Sequence, residues 1–227
     1  MTSTNIPVIT IDGPSGAGKG TVSCTLAKQL GWHTLDSGAM YRVLAIAAQS
    51  NKVPLEDETA LATLALGLNV HFYPLPDLSA TQVFLEGQDV SLSLRSESCG
   101  AAASQIAAKP AVRKALLARQ RAFRMAPGLV ADGRDMGTVV FFDAPIKIFL
   151  TASIEERAQR RYKQLKEKGI DAKLSNLMIE IKKRDKRDST RTIAPLMAAA
   201  DAYVIDTTGV SIEKGVARIL SIAREQF

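Results

Sequence analysis

The chain changes character twice between Ile6 and Gly31, and those changes restrict the fold more than anything else in it. Ile6-Pro7-Val8-Ile9-Thr10-Ile11 is a short, β-branched apolar run, the pattern of a buried strand. Gly13-Pro14-Ser15-Gly16-Ala17-Gly18-Lys19-Gly20-Thr21 follows, and Lys19 to Leu30 has helical character up to a natural stop at Gly31. Strand, glycine loop and helix together open an α/β layer architecture. Glycines let successive backbone N–H groups curl inward as an anion nest, and the helix N-terminus adds its positive end. Lys19 supplies a point charge for terminal phosphates. The run matches G-x-x-x-x-G-K in the strand-to-helix context that gives this motif its meaning. It departs at Gly20, where Ser or Thr is usual; Thr21, one place later, is the candidate hydroxyl near a metal. The loop points to a nucleoside triphosphate and leaves the reaction open.

Further along, helices are predicted over Ser37–Gln49 and Leu55–Leu68. Asn69–Arg95 alternates and contains Pro74 and Pro76, which predicts small antiparallel strands inserted into the βα array. Helical patterns return over Ser98–Ala108 and Ala111–Arg124. Core strands are predicted at Gly128–Asp132, Lys147–Thr151 and Tyr203–Asp206. Between the last two lie helices over Ile154–Lys168 and Leu174–Lys186, broken near Gly169. The final helix carries Val216, Ile219, Leu220 and Ala223 as an apolar stripe. The fold class expected is α/β: a parallel sheet with helices on both faces, an inserted antiparallel β lobe and a helical lid.

Composition narrows the function. Hydrophobic residues make up 46% and charged residues 23%, which excludes a disordered or collagen-like chain. Cys24 and Cys99 are too few for a disulfide scaffold or a four-cysteine zinc site, and Cys24 reads as packing on the first helix. The net charge is +6, and Thr151–Arg191 carries all of it, with 13 basic against 7 acidic residues. Such a segment suits an anionic ligand, and its arginines suit phosphate oxygens. Met1–Asn5 lacks a secretion signal's basic flank and apolar core, and no apolar run approaches the length of a membrane span.

Three further runs choose among phosphate-transfer reactions. Leu35-Asp36-Ser37-Gly38-Ala39-Met40-Tyr41-Arg42, Ala131-Asp132-Gly133-Arg134-Asp135-Met136-Gly137-Thr138-Val139-Val140 and Arg184-Asp185-Lys186-Arg187-Asp188 resemble the bacterial type of cytidylate kinase, from Ile9 to about Ala200. Phe142 departs mildly from the family, which has a proline there. The resemblance implies transfer from ATP to CMP or dCMP with Mg2+, in a single kinase domain. Its core would be about 1–36, 125–153 and 200–227, its acceptor lobe about 37–124 with a β insert at about 69–95, and its lid about 154–191. It implies that Gly13 to Thr21 hold ATP, with Lys19, Arg134, Arg191 and Asp132 at the chemistry. Arg157, Arg160 or Arg161 would close over the ATP phosphates. Ser37, Arg42, Arg134 and Arg191 would hold the CMP phosphate; Ser104, Arg113 and Asp135 the cytosine; Arg184 and Asp188 the sugar. No metal is held directly; Asp132, and Thr21 nearby, would orient Mg2+ through water.

The expected partners are small nucleotides alone, with no nucleic acid and no membrane, and the expected state is a cytoplasmic monomer. Two other readings compete. One is a different small-molecule kinase acting on UMP, AMP or shikimate. The other is a basic nucleic-acid-binding ATPase, against which the 5% aromatic content argues, since single-strand platforms are aromatic-rich.

Overall fold

The structure is a computed structural model and describes residues 6–74, 81–167 and 169–226. Met1–Asn5, Pro76 and Lys168, on which expectations above fall, lie outside the described residues.

β1 (Val8–Asp12) is buried throughout and runs straight into the glycine loop. α1 (Lys19–Leu30) begins at the loop's lysine and ends before Gly31, as its sequence predicts. β2 (His33–Asp36) follows at once; it is short and part-exposed, too weak an apolar run to have been predicted. Asp36 caps α2 (Ser37–Ser50) by accepting from the Ala39 N–H at 2.9 Å. Asp57 caps α3 (Glu58–Leu66) in the same way through Ala60, so this helix starts at Glu58 and not at Leu55. β3 (Val70–Pro74), β4 (Thr81–Leu85) and β5 (Gln88–Asp89) form the antiparallel sheet expected in this stretch.

α4 (Glu97–Ile106) and α5 (Pro110–Arg121) lead to β6 (Leu129–Gly133). Pro110 occupies the first turn of α5, where its missing N–H costs nothing. A single turn of π-helix over Met136–Val140 precedes β7 (Ile146–Thr151). α6 (Ile154–Glu167) and α7 (Leu174–Thr190) flank Gly169, and α7 runs past Lys186 to Thr190. β8 (Tyr203–Asp206) and α8 (Ile212–Gln226) close the chain.

The main sheet has five parallel strands in the order β2-β6-β1-β7-β8. Its two sides face different apolar clusters. In β6, Leu129 and Ala131 join a cluster built with α2, α3, α4, α5 and β4, while Val130 joins one built with α1 and α8. The alternation is the period-two pleat of a strand. Val216, Ile219 and Ala223 of the final helix are buried in the second cluster and Leu220 packs partly against it. Ala158, Leu165 and Leu177 make a small separate cluster between α6 and α7. Helices therefore cover both faces. Among the described residues no helix is long and apolar enough to cross a membrane. Both cysteines are free; Cys99 is buried, but Cys24 is only part-buried.

This layering puts the C-terminal ends of the parallel strands on one edge, where open α/β sheets bind ligands. Asp12 ends β1, Asp36 ends β2 and Asp132 lies one residue from the end of β6. The register sets Asp36 opposite Asp132 and Asp12 opposite Gly133.

Candidate active site

The glycine loop lies at that edge. Gly13 has φ of 147°, and a Cβ built on it would fall 2.0 Å from the Leu150 carbonyl oxygen of β7. No other residue fits there, so β1 can turn into the loop only while pressed against its neighbouring strand. Lys19 is buried and its ammonium donates to Pro14 O at 2.9 Å, curling back over the loop. Burial, then the Arg134 guanidinium, pull this ammonium down to about 7. Asp132 is displaced the other way: burial and the nearby Asp36 carboxylate raise it to about 8, against the pull of Lys19. A buried amine and a buried carboxyl group thus sit together beside the loop, each disfavoured in its charged form by desolvation.

The acceptor-side residues converge on a charged network. Arg113 of α5 pairs with Asp135, both buried, and Arg191 stands 3.8 Å from the second oxygen of that carboxylate. Burial pushes Asp135 upward, while Arg113, Arg191 and Arg134 pull it back. Ser104 of α4 donates to one oxygen of Asp188 at 3.1 Å, and Arg134 donates to the other at 3.0 Å. Arg184, one turn before Asp188 on α7, lies 3.9 Å from that second oxygen. Burial works against the Asp188 carboxylate, but Arg134 and Arg184 outweigh it and hold the group below its ordinary range. Burial and the neighbouring Arg134 bring Arg184 down to about 10. Arg184 Nε and Arg191 Nη2 are buried and make no hydrogen bond among the described residues, standing 3.9 and 3.8 Å from Asp188 and Asp135.

Ser37 is buried as the first residue of α2. Arg42, one turn later, donates to Leu94 O at 2.6 Å and to Ser96 O at 3.4 Å. It is close enough to Arg184 to help depress it. Arg42 makes no local pair with Asp36, whose carboxylate is spent on the α2 cap.

The arginines expected to close as a lid differ among themselves. Arg157 is buried against the loop: it donates to Ala152 O at 3.0 Å and Ser15 O at 3.1 Å, and pairs with Asp185 of α7 through bonds of 3.1 and 2.6 Å. It bridges α6, α7 and the loop instead of waiting in solvent. Arg160 reaches Thr207, donating to its carbonyl at 2.6 Å and its hydroxyl at 3.2 Å; that hydroxyl contacts Ala17 O in the loop at 3.2 Å. Arg161 pairs with Glu97 of α4, across the cleft.

Thr21 is exposed and lines a groove between α1 and α8 with Thr25, Gln29 and Glu213. The residue facing Asp132 is Gly20, where a Cβ would stand 3.6 Å from a carboxylate oxygen.

A glycine loop with a buried lysine lies at the same sheet edge as a network in which buried Asp135 and Asp188 are held against arginines. With that geometry in view, comparison with known proteins is decisive: the profile of the cytidylate kinase family matches residues 9–225. The chain belongs to the cytidylate kinase family. It is 62% identical over 214 residues to a cytidylate kinase of Azotobacter vinelandii, covering 94% of this chain and 93% of that protein. A cytidylate kinase of Shewanella frigidimarina is 59% identical over 221 residues, covering 97% and 96%. Among solved structures, a shikimate kinase from Acinetobacter baumannii covers 97% of this chain and 94% of its own at 17% identity and a TM-score of 0.45.

As a cytidylate kinase family member the chain is a phosphate-transferring enzyme, and its Asp-Gly-Arg-Asp-Met-Gly run now has a steric reading. A Cβ on Gly137 would lie 2.8 Å from Thr10 Oγ1 and 3.2 Å from the Lys147 side chain. One on Gly133 would lie 2.8 Å from the Met136 side chain. Both glycines let the segment carrying Arg134 and Asp135 lie flat on the sheet edge.

Sequence reasoning passed over three residues of this family member that the geometry brings to the site. Asp12 accepts from the Met136 and Gly137 N–H groups at 2.9 and 2.8 Å. Its one signal was an acid closing an otherwise apolar strand. Asp185 lay inside a quoted motif without a role. Thr207 follows the last strand and had no signal beyond that position.

Proposed function

We propose that this cytidylate kinase family member transfers the γ-phosphoryl group of ATP to the phosphate of CMP and dCMP. The observation that carries the reading is the buried Arg113–Asp135 pair, with Arg191 on the same carboxylate and Arg184 on neighbouring Asp188. A pocket with a fixed carboxylate suits cytosine, whose N4 amino group only donates; uracil offers a carbonyl there and meets another acceptor.

The residues then divide the work. The loop's N–H groups and Lys19 receive the ATP phosphates. Arg134, Arg191, Arg42 and Ser37 fix the acceptor phosphate, whose second pKa of about 6 leaves an attacking oxygen already anionic near neutrality. No general base is needed. The task is to bring two anions in line and stabilise a loose transition state, which calls for positioned cations. Ser104 and Arg113 complete the base pocket, and Arg184 with Asp188 the sugar contacts. Residues of about 154–191 act as the lid, with Arg160 and Arg161 closing over the phosphates and excluding water. Arg157 holds the lid to the loop.

Mg2+ fits the donor set beside the loop. Asp132 is buried, raised to about 8 and faces Gly20 at the start of α1, so a cation beside it would favour its charged form. Asp132 would hold such an ion through water, and the ion would neutralise charge on the phosphates. We read the enzyme as a monomer acting on free nucleotides.

The test is ADP release with CMP, dCMP, UMP, AMP and shikimate as acceptors. CMP and dCMP are expected to be the best. Turnover of CMP no faster than that of shikimate would overturn the proposal.

A further inference from the structure

Asp135 occupies the position from which an aspartate ordinarily caps the turn that follows it, accepting from that turn's first free N–H groups. It makes no such bond. Its carboxylate is turned to Arg113 and Arg191 instead. The π-turn over Met136–Val140 is nevertheless capped, from far away in the chain. The Met136 N–H donates to one oxygen of Asp12 at 2.9 Å and the Gly137 N–H to the other at 2.8 Å.

Asp12 has a special place. It is the last residue of β1, it directly precedes the loop's Gly13, and it pairs in register with Gly133. Its side chain is buried. A buried carboxylate is expensive unless its oxygens are hydrogen-bonded, and here both are, by backbone groups that need an acceptor as much as it needs donors. Were Asp12 unable to accept, two buried N–H groups would be orphaned, and Asp135, which directly precedes them in the chain, would be the carboxylate placed to take them at the expense of its arginines.

We propose that Asp12 is a positioning residue for base selection: it caps the π-turn in place of Asp135 and so leaves the Asp135 carboxylate free to face the acceptor's base. The proposal rests on the reading of Asp135 under Proposed function. It adds a mechanical link, since the residue that ends at the ATP loop also holds the segment bearing Arg134 and Asp135. Asp12 touches neither substrate; it acts through the backbone of Met136 and Gly137.

The test compares the wild-type enzyme with Asp12→Asn, Asp135→Ala and the double variant, using CMP and UMP as acceptors. Asp12→Asn keeps the size but replaces one acceptor by an N–H donor. It is expected to lower the CMP:UMP ratio of kcat/KM at least tenfold while moving KM for ATP less than threefold. In the Asp135→Ala background the same change is expected to leave the ratio where Asp135→Ala alone puts it. A ratio that stays at the wild-type value in Asp12→Asn, or a rise in KM for ATP as the sole effect, would overturn the proposal. If Asp12→Asn does not fold, amide hydrogen exchange in the wild-type protein decides: the Met136 and Gly137 amides are expected to be among the slowest, and free exchange at either sinks the idea. A wild-type enzyme that fails to prefer CMP over UMP would refute the function itself, a separate result from wild-type preference that survives Asp12→Asn.

Discussion

Arg113 and Asp135 are paired inside the protein, with 9% and 4% of their side-chain surface exposed, and Arg191 stands 3.8 Å from the carboxylate's other oxygen. One anion is shared by two guanidinium groups. Removing it leaves both uncompensated, so Asp135→Ala should cost stability, by about 3–5 kcal/mol for a buried pair broken on one side. It should also lower kcat/KM for CMP about tenfold to a hundredfold more than for UMP, the worth of one well-placed base contact of about 1–3 kcal/mol. Thermal melts and ADP release with the two acceptors check both parts.

Proton linkage at the loop gives a second prediction. Lys19 is lowered to about 7, first by burial. Above that pH the free enzyme loses the charge, and incoming phosphates restore it. Metal-free ATP should therefore bind with proton uptake above neutrality, and its affinity should weaken as pH rises through about 7. Asp132, raised to about 8 by burial and Asp36, is protonated in the free enzyme at pH 7. A cation brought with the nucleotide would drive that proton off. Uptake with ATP alone should thus shrink or reverse with MgATP. Calorimetry in buffers of different ionisation enthalpy measures the difference.

Asp185→Asn tests the bridge on Arg157. The carboxylate holds the guanidinium by two bonds, and that guanidinium reaches Ser15 O in the loop. Asp185 is part-exposed, so the loss should be modest, about 1–2 kcal/mol. A melting point lower by roughly 2–8 °C follows for a chain of this size. KM for ATP should rise more than KM for CMP, because the loop is what Arg157 touches.

Gly137→Ala and Gly13→Ala separate two kinds of crowding. At Gly137 the new methyl meets a hydroxyl at 2.8 Å and a flexible lysine stem at 3.2 Å. Overpacking of that kind costs about 1–3 kcal/mol, and the protein should fold with weakened CMP selectivity. At Gly13 the methyl meets backbone at 2.0 Å, with φ of 147° besides. That variant should bind ATP poorly and melt well below Gly137→Ala. Circular dichroism melts and nucleotide titrations rank the two.

Much of this was legible in the residues because the signals were local. The strand-loop-helix opening follows from apolar pattern and glycine spacing, and α1 has the predicted ends. The two-sided core follows from near-continuous apolar strands. Other features were invisible because they depend on meetings between distant segments. β2 has one buried position in four residues and becomes a strand only through β6. The bonds of Arg157 to Asp185 and Ser15 could not be read from its own sequence neighbourhood, which names neither partner. That the first turn of α1 sets Gly20 beside Asp132 also depends on how the helix sits against β6, which spacing along the chain does not give. The role of Asp12 needed the register of β1 against β6.

The alternation in β6 has one more consequence. Leu129 and Ala131 are oiled into one core and Val130 into the other, with Asp132 immediately after. A slip of this strand by a single residue would turn every one of these side chains to the opposite slab at once. The height of the acid above the sheet is therefore not adjustable by small steps: greasy neighbours on both sides act as a detent, and the Asp132 carboxylate is indexed to it.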